Sequence, residues 1–152
     1  MIISIDPGTH TGVAIKYSHG GYDTLMFESE ISVLWDIILT QKPSVLIVER
    51  YQPYGPQRID ANGLATIEVC GSIYALAHVV GAELIIQEAI QRLPFMHDAR
   101  ERLPQLTKAK IDSHQIDAMA HLIRYEKVGN KGNKYPPQLG LRSVSANSVP
   151  IQ

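Results

Sequence analysis

The chain has 152 residues, of which 45% are hydrophobic and 19% charged, and its formal net charge is −1. These values predict a single globular domain with a core of ordinary size. Cys70 is the only cysteine, which excludes an internal disulfide and a cysteine-based zinc site. The sequence shows no secretory leader and no apolar run that we expect to span a bilayer, so we expect a cytoplasmic protein.

The net charge argues weakly against a polyanionic partner, but the average hides an asymmetry. Residues 1–86 hold nine acidic and four basic residues, whereas residues 87–152 hold ten basic and six acidic residues. If some of the acids bind metal cations, those cations cancel part of the negative charge. The surface that a nucleic acid meets is then more positive than the formal sum, and nucleic-acid binding stays open.

The apolar pattern along the chain predicts strands and helices that alternate after an initial meander. Short β-branched runs bounded by Pro-Gly and Gly-Gly turns are typical of strands, and the spacing from Ile31 to Leu39 is typical of a helix. The predicted strands occupy residues 2–5, 11–17, 22–28, 45–48 and 83–86. The further predicted helices occupy residues 62–80, with Asn62 as cap and Gly81 as stop, and 113–127.

The helix at 62–80 is apolar nearly all round, so it must be covered on more than one side. Its own sheet can cover one side, and either a neighbouring helix or a second subunit can cover another. Between 88 and 110 the helical stretches are interrupted by Pro94 and Pro104. We expect a domain over 1–128 and a flexible tail over 129–152, which is rich in glycine, asparagine, proline and serine.

This element order predicts an α/β fold, with a five-stranded mixed sheet flanked by helices. Asp6 and Glu49 each end a strand that we expect near the middle of the sheet. Ligands of open α/β sheets bind at this edge. Asp6 alone is weak evidence, but Glu49 directly follows Val-Leu-Ile-Val, where a charge requires a partner or a cation. A salt bridge to Arg50 or another base is the alternative for Glu49.

The last predicted helix begins with a third group of polar residues. His114 and Asp117 are three residues apart and share one stripe of the helix, separate from its apolar stripe. Asp112, with Gln115 three residues later, is typical of a capping box, so we interpret it first as a cap. His121 lies further along the ligand stripe, and we interpret it as a supporting or structural residue.

Three carboxylates and a histidine suit a hard divalent cation, Mg²⁺ or Mn²⁺. Two such ions a few ångströms apart can activate a water molecule and stabilise the leaving oxygen in phosphodiester cleavage. The sequence therefore predicts a two-metal phosphodiesterase site made by Asp6, Glu49, His114 and Asp117.

These motifs resemble those of the RuvC-type Holliday junction resolvases. Ile-Ser-Ile-Asp6-Pro-Gly resembles the opening of that family, Leu-Ile-Val-Glu49 its strand-end glutamate, and His114-x-x-Asp117-Ala-Met-Ala its last motif. The resemblance implies a ribonuclease H-like fold with Mg²⁺ or Mn²⁺ at each active site. It also implies a homodimer, formed through the helix at 62–80, that cuts four-way DNA junctions by paired nicks in a bacterial cell or a phage-infected bacterium.

The DNA-contacting residues are expected among the aromatic and basic side chains. By resemblance, Tyr51 and Tyr54 are the candidates for an aromatic contact with the junction, although neither aligns cleanly with the family's phenylalanine. Further basic residues lie before the last helix, where Lys108 and Lys110 would neutralise phosphate near the cut. A duplex arm would be held by Arg92, Arg100 and Arg102. A solvated helix face is the alternative for these bases.

Three other functions remain open at this point. Phage versions of the family cut a broader set of branched DNAs, including flaps, three-way junctions and replication forks. A non-catalytic branched-DNA-binding protein of the same fold would bind junctions without cutting them. An ATP-binding domain of the actin and sugar-kinase type also begins with a strand that ends in Asp-x-Gly, but that fold needs a second lobe, which 152 residues do not supply.

Overall fold

The computed structural model describes residues 1–28, 31–52, 60–107 and 110–131. Within these ranges five strands form one mixed sheet, in the order β3-β2-β1-β4-β5. The first three strands pair antiparallel, and β4 and β5 continue the sheet parallel to β1. The strands are β1 (Ile2–Asp6), β2 (His10–Lys16), β3 (Tyr22–Glu28), β4 (Val45–Arg50) and β5 (Glu83–Glu88). All five predicted strands are confirmed, with ends that shift by up to two residues.

In the described part of the chain four α-helices pack on the sheet, and two short 3₁₀ segments flank the third. The helices are α1 (Ile31–Gln41), α2 (Ala61–Val80), α3 (Met96–Arg102) and α4 (Ser113–Val128), and the 3₁₀ segments are Ala89–Phe95 and Leu103–Gln105. The predicted cap of α2 was wrong: Asp60, not Asn62, accepts a hydrogen bond from the backbone nitrogen of Gly63 at 2.8 Å. Gly81 ends α2 in the left-handed conformation, with φ of 72°.

Side-chain alternation along the strands divides the core into two clusters, one on each face of the sheet. Ile5 and Val48 belong to the cluster that α1 and α2 cover. Ile47 and Ile85 belong to the cluster that α3 and α4 cover. Asp6 follows Ile5 and Glu49 follows Val48, so the side chains of both carboxylates lie on the other face of the sheet, the face that α4 covers.

The start of α4 lies directly against the backbone of β2. A Cβ on Gly12 would lie 2.1 Å from the carbonyl carbon and oxygen of His114, so only glycine allows this approach. Gly12 is also the register partner of Asp6 on β1. The first turn of α4 is thus held beside the end of β1.

The outer face of α2 is apolar and is not covered by the described part of the chain. Leu64, Ile67 and Val79 are 53%, 41% and 69% exposed. We expected no segment that could span a bilayer, and this was wrong: α2 is long and apolar enough to do so. It has 20 residues, and its most apolar window has a mean hydropathy of 1.5 and is 28% buried. Core helices of soluble proteins pass the same test, so this is weak evidence for a membrane span.

The predicted tail is described only in part. Residues 129–131 form a turn after α4, where the carbonyl of Lys131 accepts a hydrogen bond from Nη2 of Arg124 at 2.8 Å. Residues 132–152 lie outside the described residues, so the predicted flexibility of the tail stays a prediction.

Candidate metal centre

Three carboxylates meet at the carboxyl edge of β1 and β4. One oxygen each from Asp6, Glu49 and Asp117 can be chosen so that all three lie within 4.8 Å of one another. Asp6 ends β1 and is 5% exposed, whereas Glu49 on β4 and Asp117 on α4 are half-buried. Asp6 and Asp117 are 111 positions apart in the chain, and they are neighbours because the first turn of α4 lies on β2.

His114 completes the cluster on the side of Asp6. Its Nδ1 lies 2.7 Å from Oδ2 of Asp6, and its side chain is 34% exposed. A Cβ on Gly8 would lie 3.2 Å from Cε1 of His114, so a glycine there leaves room for the ring. The histidine can therefore reach solvent while its other side is fixed by a buried carboxylate.

Asp112 has the capping role that its spacing predicts. Its side chain accepts a hydrogen bond from the backbone nitrogen of His114 at 2.9 Å, and its own backbone nitrogen donates to Oε1 of Gln115 at 3.0 Å. The carboxylate of Asp112 therefore caps the N-terminus of α4. Its contribution to the site is to fix the backbone that carries His114 and Asp117.

His121 contacts the centre through Glu49. It is fully buried, and its Nε2 lies 2.8 Å from Oε2 of Glu49. Its Nδ1 lies 2.6 Å from Oε1 of Gln87, which is also fully buried. Gln87 is the register partner of Glu49 on β5. Gln87 was not predicted from the sequence, although its place beside Glu49 in the parallel register was a usable signal.

Arg92 lies between two of the carboxylates. Its Nη1 is 3.2 Å from Oε2 of Glu49, and its Nη2 is 2.9 Å from Oδ2 of Asp117. The same Nη1 donates to the carbonyl of Ala89 at 2.6 Å, while the buried Nε has no hydrogen-bond partner. The sequence pattern predicted Arg92 on a DNA-binding surface. The structure places its guanidinium among the carboxylates, where it pairs with Glu49 and Asp117.

The pKa directions in the cluster combine the effects of burial and of neighbouring charges. Burial raises the pKa of Asp6, the charge of Glu49 adds to this, and the hydrogen bond with His114 acts the other way. The hydrogen bond with Asp6 raises the pKa of His114, against the effect of burial. Burial by itself would lower the pKa of Arg92, but its contacts with Asp117 and Glu49 raise it. Cations are therefore favoured in this cluster.

The donor set fits a hard divalent cation. Carboxylate oxygens from three separate elements converge, and a guanidinium already lies between two of them as a cation does. Mg²⁺ and Mn²⁺ prefer such oxygen ligands, and an imidazole at the edge is compatible with Mn²⁺. The residues present thus fit the metal that the sequence predicts.

The other predicted DNA-contacting residues are scattered. Arg100 and Lys110 are exposed, whereas Tyr51 is half-buried against the core under α1 and α2. Arg102 donates to Oε2 of Glu126 at 3.2 Å and is therefore engaged within the chain. Two predicted residues lie outside the described part of the chain, Tyr54 and Lys108.

The sheet order and the helices on both faces define an α/β fold of the ribonuclease H-like class. Two solved structures of RuvC from Thermus thermophilus share it, and one of them is a complex with a Holliday junction substrate. They align with TM-scores of 0.58 and 0.61 at 18% and 17% identity, and each alignment covers 85% of this chain and 96% of the other. No family model matches the sequence, and neither does any curated protein.

Proposed function

We propose that the chain is a divalent-cation-dependent endonuclease that cuts branched DNA, with the four-way junction as its main substrate. The observation that carries this proposal is the convergence of Asp6, Glu49 and Asp117 within 4.8 Å, beside His114, at the carboxyl edge of the sheet. The shared fold with RuvC, which has been solved with a Holliday junction substrate, supports the choice of DNA.

The metal would be held by Asp6, Glu49 and Asp117, with His114 as a further ligand or as a neighbour. Two Mg²⁺ or Mn²⁺ ions per site would supply an activated water and stabilise the leaving oxygen of the phosphodiester. The number of ions and the choice between the two metals belong to the proposal. Metal-dependent cleavage of this kind requires no cysteine, no serine triad and no organic cofactor.

The chain's own residues would position the reactants. Asp6 holds Nδ1 of His114, so the other ring nitrogen would orient the attacking water or accept its proton. His121 and Gln87 hold Glu49 from behind. Supporting contacts of this kind fix the orientation of a ligand.

Exposed bases outside the carboxylate cluster would bind the DNA backbone. Arg100 on α3 and Lys110 before α4 are exposed, so both are available to phosphate. Lys108, Tyr51 and Tyr54 remain proposed contacts on the sequence argument alone. Arg102 would have to release Glu126 before it could bind an arm of the junction.

The outer face of α2 would form a homodimer. Paired nicks need two active sites, and the exposed side chains of Leu64 and Ile67 lie on an apolar face that is uncovered in the described chain. Burial of such a face in a second copy removes apolar surface from water. We expect Leu64→Glu to yield monomers in sedimentation and to convert paired nicks into single ones.

The test of the proposed activity is Asp6→Asn on a labelled four-way junction with Mg²⁺ or Mn²⁺. We expect cleavage to be abolished and junction binding to be retained, because the change removes a ligand but no DNA contact. Asp36→Asn, an exposed carboxylate on α1, is the matched control and keeps wild-type cleavage. Full cleavage by Asp6→Asn would reject this site.

A panel of DNAs separates the proposal from its alternatives. Four-way, three-way, flap, fork and linear substrates are compared under the same conditions. Equal cleavage of all branched forms would indicate a broader branched-DNA nuclease. Tight binding of branched DNA without metal-dependent cleavage of any would indicate a non-catalytic branched-DNA-binding protein.

A further inference from the structure

Arg92 occupies a position that the proposed metal would need. Its two Nη atoms contact carboxylate oxygens of Glu49 and Asp117, which are two of the three candidate ligands. A ligand oxygen that accepts from a guanidinium has fewer lone pairs left for a metal ion. Arginine and metal therefore compete for the same oxygens.

The charge of the cluster explains why a cation is needed there when metal is absent. Three carboxylates lie within 4.8 Å of one another, and like charges at that separation repel strongly when they are partly buried. Among the described contacts of these carboxylates, Arg92 is the permanent cation, since His114 and His121 are charged only when protonated. Its guanidinium offsets the repulsion and keeps the ligands close.

The hydrogen bonds of Arg92 are incomplete, so a metal ion can displace its side chain from the carboxylates. Its Nη1 is shared between Glu49 and the carbonyl of Ala89, and its buried Nε has no partner. A buried donor that lacks a hydrogen bond destabilises the arrangement that buries it. The side chain is also 19% exposed, which gives it a route to solvent from the 3₁₀ segment Ala89–Phe95.

We propose that Arg92 is an internal cation that holds the carboxylates together in the metal-free protein and leaves them when the divalent metal binds. This inference rests on the metal site of the proposed function. It makes Arg92 a positioning residue that lowers apparent metal affinity. Its guanidinium becomes available to DNA phosphate only after the exchange.

The experiment compares Mn²⁺ binding by the full chain and its variants, using calorimetry and electron paramagnetic resonance. If Arg92 occupies the ligands about nine-tenths of the time, Arg92→Gln binds Mn²⁺ about tenfold more tightly than wild type. In EDTA the same variant has a lower Tm, and Mn²⁺ raises it by more than in wild type. Lys42→Gln removes one positive charge from an exposed site just after α1 and is expected to change neither quantity.

Arg92→Lys provides a second measurement if the glutamine variant does not fold without metal. Lysine keeps the charge but cannot bridge two carboxylates in the same way, so its Mn²⁺ affinity falls between those of wild type and Arg92→Gln. Mn²⁺ affinity that is unchanged or weaker in the variants would overturn the inference, even if Tm falls, because Arg92 would then be only structural.

The inference and the proposed function fail separately. If wild type cuts junctions but removal of Arg92 leaves Mn²⁺ affinity unchanged, only the inference is rejected. If the variants bind Mn²⁺ more tightly but no branched DNA is cut, the exchange is supported and the nuclease proposal is rejected. If no protein in the series binds Mn²⁺, both are rejected.

Discussion

Two charged clusters lie at opposite ends of the packing between β2 and α4, and they balance charge differently. At the start of α4, Asp6, Glu49 and Asp117 share one arginine and two histidines. At the end of α4, Glu126 alone meets three partners. These are Tyr22 and Lys16, whose hydroxyl and Nζ each lie 2.6 Å from Oε1, and Arg102, whose Nη1 lies 3.2 Å from Oε2.

The pKa values of the carboxylates move in opposite directions at the two ends. Burial tends to raise both, but the hydrogen bonds from Lys16 and Tyr22 bring the pKa of Glu126 below its usual value. The pKa of Asp6 is raised, because burial and neighbouring carboxylates outweigh His114. At the end of α4 the chain's own side chains balance the charge of Glu126. At the start of α4 the carboxylates keep negative charge that favours an external cation.

The largest expected effect is a loss of DNA cleavage when the cluster at the start of α4 is changed and not the cluster at its end. Asp117→Asn removes a proposed metal ligand, and changes to residues that merely support a ligand already reduce activity by about 10–100-fold. We therefore expect a loss of more than about a hundredfold. Glu126→Gln, at the other end of the same helix, keeps wild-type cleavage. Nicking of a labelled junction measures both, and equal losses would mean that the ends of α4 are not functionally distinct.

Gly12→Ala tests the close packing that builds the catalytic end. The new Cβ would lie 2.1 Å from the backbone of His114, so α4 must move away from β2. We expect the free energy of unfolding to fall by about 3 kcal/mol, as in overpacked cores, and cleavage to fall with it. Urea titration measures the first effect.

Gly71→Ala is the matched control for that substitution. Its Cβ would meet no atom within 4 Å, and Gly71 lies inside α2. Alanine there is expected to raise the free energy of unfolding by up to about 1 kcal/mol through helix propensity. A similar loss of stability in both variants would contradict the steric explanation.

His121→Leu tests the support behind Glu49. The change removes the hydrogen bond at 2.8 Å to the carboxylate and leaves Gln87 without its ring partner. Cleavage is expected to fall by about 10–100-fold, the usual effect of losing a contact that orients a ligand. Tyr22→Phe likewise removes one hydrogen bond, which the Tyr22 hydroxyl donates to Glu126, and the cleavage activity of this variant is expected to match wild type.

The smallest expected effect is the fall in the free energy of unfolding when Glu126 is replaced. Glu126→Gln weakens charge-assisted hydrogen bonds with Lys16 and Arg102, and we expect a loss of about 1–2 kcal/mol at pH 7. Because folding lowers the pKa of Glu126 below its ordinary value of 4.5, this stability is present above that value and is lost as pH falls through the folded pKa. Urea titrations at pH 7 and pH 3 should therefore show the difference between wild type and variant shrinking.

The sequence predicts the fold and the carboxylates because both follow from short-range patterns. Val45 to Val48 is a continuous apolar run, so the charge that follows it had to lie at the end of a central strand. The spacing of His114 and Asp117 defines a helix stripe without knowledge of the partner. Capping by Asp112 is equally local, and the structure confirms it.

Other parts of the centre depend on packing that no local pattern encodes. Arg92 lies in a 3₁₀ segment interrupted by Pro94, where the side-chain direction has no regular period. Gln87 was missed because the strand was predicted to end at Ile86, two residues too early. Arg102 and Glu126 pair across 24 residues and two elements, so only the packing of α3 on α4 brings them together.

The register between β1 and β4 constrains where the chain can change length. Ile5 pairs with Val48, so Asp6 and Glu49 leave their strands side by side on one face. Deletion of one residue within β4 would turn Glu49 to the opposite face, among the apolar side chains under α1 and α2. Insertions and deletions among natural relatives are therefore expected in turns such as Gly20-Gly21 and not inside the central strands.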